Sequence, residues 1–283
     1  MIAPPPLIVG ATRLAAIPRE TLVHHVVFHQ LKTAKQDTRR NPLWKAFSFR
    51  NEVRFSKRDT VSFVLLEEYI KSSFDAYFSD LKPNSFFLPH PIAKASEDIV
   101  LAPKSKPVKV GFVGQARPEK GFLEFLAMAE ALSSPDIEFH VIGHLLDAVH
   151  DFDLSSLATK PTAAKIPQAQ FAAALASVDC IVQPLSAAYG EYSSGTILDA
   201  VAYEKPLFCF ENRIMQSQAE RGQPIGFMAN TLDALIDAVR DFALRQDEDQ
   251  VNAWRRNMQL MKEERSTQSL AALYRRYVTG MKA

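Results

Sequence analysis

The sequence predicts an α/β protein with parallel sheets in two unequal parts, and three observations carry that prediction. From residue 108 onward, apolar runs of strand length alternate with helical patterns, the arrangement that gives a parallel sheet covered by helices. A polar, proline-punctuated segment, "ASEDIVLAPKSKP" at residues 95 to 107, separates two apolar regions and reads as a linker. The chain has 283 residues, 47% of them hydrophobic and 23% charged, enough to bury the cores of two modest domains.

Residues 1–94 read as a small α/β layer. Its strands are expected in "PLIVG", "LVHHVVFH", "TVSFVLL" and "SFFLP", and its helices in "PLWKAFSFRNEVRFSK" and "EEYIKSSFDAYFSD". Residues 108–250 read as a Rossmann-like domain. It opens with "VKVGFVG" and "GFLEFLAMAEAL", continues through "IEFHVIG", "QAQFAAALASV" and "DCIVQPL", and closes with "GTILDAVAYE", "PLFCF", "IGFMA" and "LDALIDAVRDFAL". Residues 251–283 read as charged helices with no following strand, expected to pack back toward the first domain.

Composition excludes several classes. A net charge of +1 argues against a globally basic nucleic-acid binder. Cys180 and Cys209 each lie inside an apolar run, as buried free thiols do, and not as a disulfide or a metal site. The first twenty residues lack a basic region before their apolar stretch, and no run reaches the roughly 18 apolar residues of a membrane span. The expected location is therefore the cytoplasm.

The segment "GEYSSGTILDA" holds two carboxylates, Glu191 and Asp199, around a patch of small and hydroxyl residues. A helix starting near Ser193 or Ser194 would be capped by serine, and Gly195 would permit close approach at its first turn. Its first amides and its dipole suit a phosphate. Asp199, one turn inside, would lie near sugar hydroxyls, and Glu191 could reach a second polyol. A ligand with both phosphates and sugars is a sugar nucleotide.

These residues resemble the group 1 glycosyltransferases (glycosyltransferase family 4) of the GT-B fold. That family's signature has two glutamates separated by seven residues, then a small-residue helix and Gly-Lys-Pro. Glu191 matches the first acid, Asp199 stands in place of the second, and Lys205-Pro206 follow with Glu204 in the glycine position. "VGFVGQARPEKGFLEFL" is similar to the strand, loop and helix that open the family's donor domain, through Gly114, Gln115, Arg117, Lys120 and Gly121. "KIPQAQF" matches the stretch that places Ile166 and Pro167 near the nucleobase. The resemblance covers roughly residues 84 to 260.

The resemblance implies a GT-B-like fold with a shortened amino-terminal domain, and transfer from a nucleotide-sugar to a glycan or lipid-linked acceptor. It also implies retention of anomeric configuration, with no metal and no cofactor beyond the co-substrate. Glu191 would contact the donor sugar and Asp199 the ribose, while Arg117 and Lys120 would stabilise the diphosphate leaving group. Ser193, Ser194, Gly195 and Thr196 would line the donor site. His29 ends the strand "LVHHVVFH" where the family carries a donor-contacting histidine, and a strand-end histidine fits equally. The missing amino-terminal elements leave a second reading, a non-catalytic subunit that binds a nucleotide or a partner.

Other features read as structural. His140, His144 and His150 have the spacing of a strand and its rim, and "DFD" at residues 151 to 153 imitates an Asp-x-Asp metal site without an apolar strand directly before it. Residues 32–58 carry a net +7, with Leu43, Trp44, Phe47 and Phe55 among the cations. Two readings stand level here: peripheral contact with an anionic inner membrane face, or a helix packed on the small sheet with solvated charges.

Overall fold

The computed structural model describes residues 24–28, 49–55, 61–93, 106–145, 152–185, 192–245 and 247–280. The elements run β1 (His24–Phe28), α1 (Phe49–Phe55), β2 (Val61–Leu65), α2 (Glu68–Tyr77), β3 (Ser85–Phe87) and β4 (Val108–Val113). A 3-10 turn at Pro118–Lys120 leads to α3 (Phe122–Ala131), β5 (Ile137–Ile142), α4 (Gln168–Ser177), β6 (Cys180–Gln183), α5 (Gly195–Ala202) and β7 (Leu207–Phe210). The chain ends through α6 (Arg213–Glu220), β8 (Gly226–Ala229), α7 (Leu232–Arg245), α8 (Glu248–Glu264) and α9 (Thr267–Gly280). These elements fall into two compact units.

Among the described residues, the first unit contains those up to Pro91, together with residues 192–193 and 267–280. Its sheet has the order β1-β2-β3 with both pairings parallel, Phe28 opposite Leu65 and Leu65 opposite Phe87. β2 is buried along its whole length, as a central parallel strand is. α2 turns Ile70 and Phe74 inward at a spacing of four, and Phe78 continues the stripe. Phe49 and Val53 of α1 join them. Tilted and edge-on rings fill this core, with Phe74 and Phe78 centroids 4.8 Å apart and Phe49 and Phe78 5.6 Å apart. From α9, Tyr277 stacks on Phe86 at 3.6 Å and donates to Asn84 Oδ1 at 2.6 Å.

The second unit is a doubly wound sheet of order β5-β4-β6-β7-β8, parallel throughout. The order reverses direction at β4, between β5 on one side and β6 on the other, and such switch points open ligand crevices at the carboxyl ends of strands. Phe112, Phe122, Phe125 and Phe139 build one side of the core, and Phe208 meets Trp254 of α8 edge-on at 6.1 Å. The outer edge of β5 is covered by residues 158–162: Val141 donates to the Thr159 carbonyl and Leu145 to that of Thr162.

The α/β reading of the sequence agrees with this architecture. The sequence does not predict α6, because Arg213–Glu220 carries few apolar residues. Asn212 starts it, its side chain accepting from Met215 N at 3.0 Å. The expected strand "PLIVG" lies outside the described residues, as does most of the helix expected in "PLWKAFSFRNEVRFSK".

Candidate functional site

The site is built at the carboxyl ends of β4 and β6 in the second unit. β4 ends at Val113, and Gly114 follows with φ 102°. This conformation favours glycine, and neighbouring Gly143 is glycine for a different reason: a Cβ there would lie 1.7 Å from the Gly114 carbonyl oxygen. Ala116 is buried and donates to the His144 carbonyl at 2.9 Å, which pins the loop to the end of β5. Arg117 precedes the 3-10 turn in an extended conformation, and Pro118 starts the turn. Gly121 closes it with φ 79°, where a Cβ would stand 1.9 Å from the Pro184 carbonyl oxygen. Lys120 is thus held between a fixed proline and a fixed glycine.

α5 supplies the opposite wall. Ser194 is its N-cap and accepts from Ile197 N at 3.5 Å. Thr196 is buried, and its hydroxyl donates to the Val113 carbonyl at 3.5 Å, tying the first turn of α5 to the end of β4. Gly195 faces open space, with nothing within 4 Å of where a Cβ would be. Lys120 Nζ and Thr196 Oγ1 lie 3.2 and 3.4 Å from the place a Cβ would take on Gly114, so the two loops meet over that glycine.

The charges form one cluster. Burial pushes the Asp199 carboxyl up to about 6, against the attraction of Lys120. Burial also lowers Lys120, helped by Arg117 and opposed by Asp199. Lys120 therefore sits between a second cation, Arg117, and a half-buried carboxylate carried by the eight-residue helix α5. The cations and the helix dipole suit an anion, and the carboxylate suits a hydroxyl donor beside it.

The structure brings together Gly114, Arg117, Lys120, Gly121, Ser194, Gly195, Thr196 and Asp199. Gln115 is half-buried in the same loop. Ile166 and Pro167 lead into α4, where Pro167 accepts from Phe171 N at 2.9 Å, and topology puts that helix start at the sheet's carboxyl edge. Ser193 belongs to the first unit and donates to Glu67 Oε1 at 3.3 Å. Beside it, the Tyr69 hydroxyl donates to the Tyr192 carbonyl at 2.8 Å. Glu191 and His29 lie outside the described residues.

Sequence reasoning missed Glu67, Tyr69 and Gln183. The available signal for Glu67 is its place two residues beyond the buried strand β2, where parallel sheets present polar groups.

The remaining candidates have structural partners. Lys205 is buried and donates to the Ala176 carbonyl at 2.7 Å near the end of α4, and burial lowers its ammonium to about 8. His140 contacts Glu138 and Thr159, and Asp153 accepts from Ser155 N at 2.9 Å. His150 and Asp151 lie outside the described residues. In the basic segment, Arg50 donates to both oxygens of Asp80 and lies 5.7 Å over the Tyr77 ring, while Phe49 and Val53 face the core and Arg54 is exposed. Residues 32–48 and 56–58 are outside the described residues. No described helix is long and apolar enough to cross a membrane.

Solved structures share this architecture. The pneumococcal O-GlcNAc transferase GtfA, solved with UDP and GlcNAc, has a TM-score of 0.60 at 14% identity, over 91% of this chain and 52% of its own. HepE of Anabaena, solved with UDP, has a TM-score of 0.67 at 14% identity, over 97% of this chain and 76% of HepE. The UDP-forming trehalose-phosphate synthase of Burkholderia xenovorans has a TM-score of 0.70 at 11% identity, over 98% of this chain and 72% of the synthase. The chain has a GT-B-like fold. Among the described residues of this GT-B-like chain, the first sheet carries three strands and the second five. At such identities the likeness is one of fold, and the chain spans about half the length of GtfA. No protein-family model matches the chain, and no curated protein matches it.

Proposed function

We propose that the protein is a group 1 glycosyltransferase that moves a sugar from a nucleotide-sugar donor to a glycan or lipid-linked acceptor. The observation that carries this reading is the meeting of Lys120 and Thr196 over Gly114 at the switch point of a parallel sheet, with Arg117 and Asp199 each close enough to shift the charge of Lys120. Cations beside a helix start recognise a diphosphate, and an adjacent carboxylate accepts from sugar hydroxyls, so one small volume holds the chemistry of a nucleoside diphosphate. GtfA and HepE, which share the fold, were solved with UDP.

In this reading the donor binds to the second unit without a metal or a resident cofactor. Arg117 and Lys120 neutralise the diphosphate, and they hold it more strongly as the bond to the sugar breaks and charge develops on the leaving group. Asp199 accepts from the ribose, and Ile166 and Pro167 flank the base. Glu191 contacts the donor sugar, with His29 a further donor contact, and the reaction retains anomeric configuration. The protein works in the cytoplasm.

Two variants separate these roles. Glu191→Ala is expected to abolish transfer while sparing affinity for the bare nucleotide, because it touches only the sugar. Asp199→Ala is expected to lower affinity for both nucleotide and donor. Radiolabelled donor turnover and calorimetry measure the two effects. Transfer that survives Glu191→Ala overturns its assignment, and nucleotide binding without transfer in the wild type makes the chain a non-catalytic nucleotide-binding subunit.

A further inference from the structure

The carboxyl end of β6 holds a polar group that the proposed function leaves unused. Gln183 is fully buried and ends a strand whose other residues, Cys180, Ile181 and Val182, are apolar. Its Nε2 donates to the carbonyl of Lys120 at 3.3 Å, across 63 positions of sequence. Its Oε1 is buried without a hydrogen-bond partner among the described residues. A methionine would fill nearly the same space without taking an amide out of water, so packing alone gives no reason for glutamine.

The bond to Lys120 gives one. Gln183 grips the carbonyl of Lys120, and the next residue's carbonyl, that of Pro184, occupies the space where Gly121 lacks a side chain. The pair 183–184 therefore acts as a template for the corner 120–121. That corner sets where the Lys120 side chain starts, and its ammonium comes to rest beside Gly114 and Thr196.

We propose that Gln183 is a positioning residue that aims Lys120 at the diphosphate by fixing the Lys120–Gly121 corner. The inference rests on the nucleotide reading of the site and assigns no direct ligand contact to Gln183.

The test is Gln183→Met in the full chain. The change removes an unsatisfied amide oxygen but also the donor to the Lys120 carbonyl, so the two effects offset and the melting temperature is expected to change little. Affinity for the nucleoside diphosphate that the wild type binds is expected to fall about fivefold to tenfold, the scale of one hydrogen bond, while affinity for the corresponding nucleoside stays the same. In a Lys120→Ala background the same change is expected to cost nothing further, because no ammonium is left to aim. Unchanged diphosphate affinity, an equal loss in the Lys120→Ala background, or a large drop in melting temperature with affinity intact would each overturn the proposal. Gln183→Leu, also without the donor and without a charge, replaces the methionine variant if that variant fails to fold.

A second readout needs no ligand. The pH profile of amine labelling at Lys120, followed by mass spectrometry, is expected to lie below that of exposed lysines in the wild type and to move up toward them in Gln183→Met. If the wild type binds no nucleoside diphosphate, the proposed function falls, and an unmoved labelling profile would separately refute the positioning role.

Discussion

Asp199 is the residue whose environment does most to define the site. Its carboxyl ordinarily titrates at 3.8, and burial raises it to about 6. The folded protein then binds a proton that the unfolded chain has already lost between those two values. The stabilisation is complete below 3.8 and disappears as the pH rises through about 6. Asp199→Asn, which cannot ionise, is therefore expected to flatten the fall in stability over that window and to be more stable than the wild type at neutral pH. Denaturant melts of the nucleotide-free protein from pH 4 to 8 check this, and parallel curves would show that Asp199 is not buried beside Lys120. The sequence shows Asp199 one turn inside a capped helix, but not its burial. Gln183 is less visible still, because a glutamine closing an apolar run reveals nothing of a carbonyl 63 residues earlier in the chain.

At the scale of the element, α5 shows how a departure from a family pattern is compensated. Glu204 follows the helix where the resemblance expects glycine, and it adopts φ 53°, the left-handed conformation that glycine tolerates best. Its carboxylate reaches Lys262 of α8 at 2.5 Å and accepts from Gln259 at 3.1 Å. The contacts with α8 thus offset backbone strain of about 1 to 2 kcal/mol. Glu204→Ala keeps the strain and loses both contacts, so it is expected to destabilise by about 1 to 2 kcal/mol. Glu204→Gly relieves the strain while losing the same contacts, and is expected to fall within about 1 kcal/mol of the wild type. Chemical denaturation measures both, and equal losses would contradict the compensation. The serine cap of α5 is legible because capping is a local interaction. α6 is not, because its polar sequence gives little hydrophobic periodicity.

At the scale of the molecule, the second unit is legible because each strand and helix of a parallel sheet writes its own apolar run in order along the chain. The grouping of residues 192–193 with the first unit is not, since it depends on a partner far away in sequence, Tyr69 for Tyr192. The second unit alone contains the cationic loop, the start of α5 and Asp199. The central claim is that this cluster is a nucleoside-diphosphate site, and calorimetry with UDP, GDP and ADP on the whole chain tests it most directly. At least one is expected to bind, and Lys120→Ala is expected to weaken that binding by about 1.5 to 3 kcal/mol, the scale of a charge-assisted hydrogen bond. Binding of none of the three, or binding that is indifferent to Lys120→Ala, would contradict the claim.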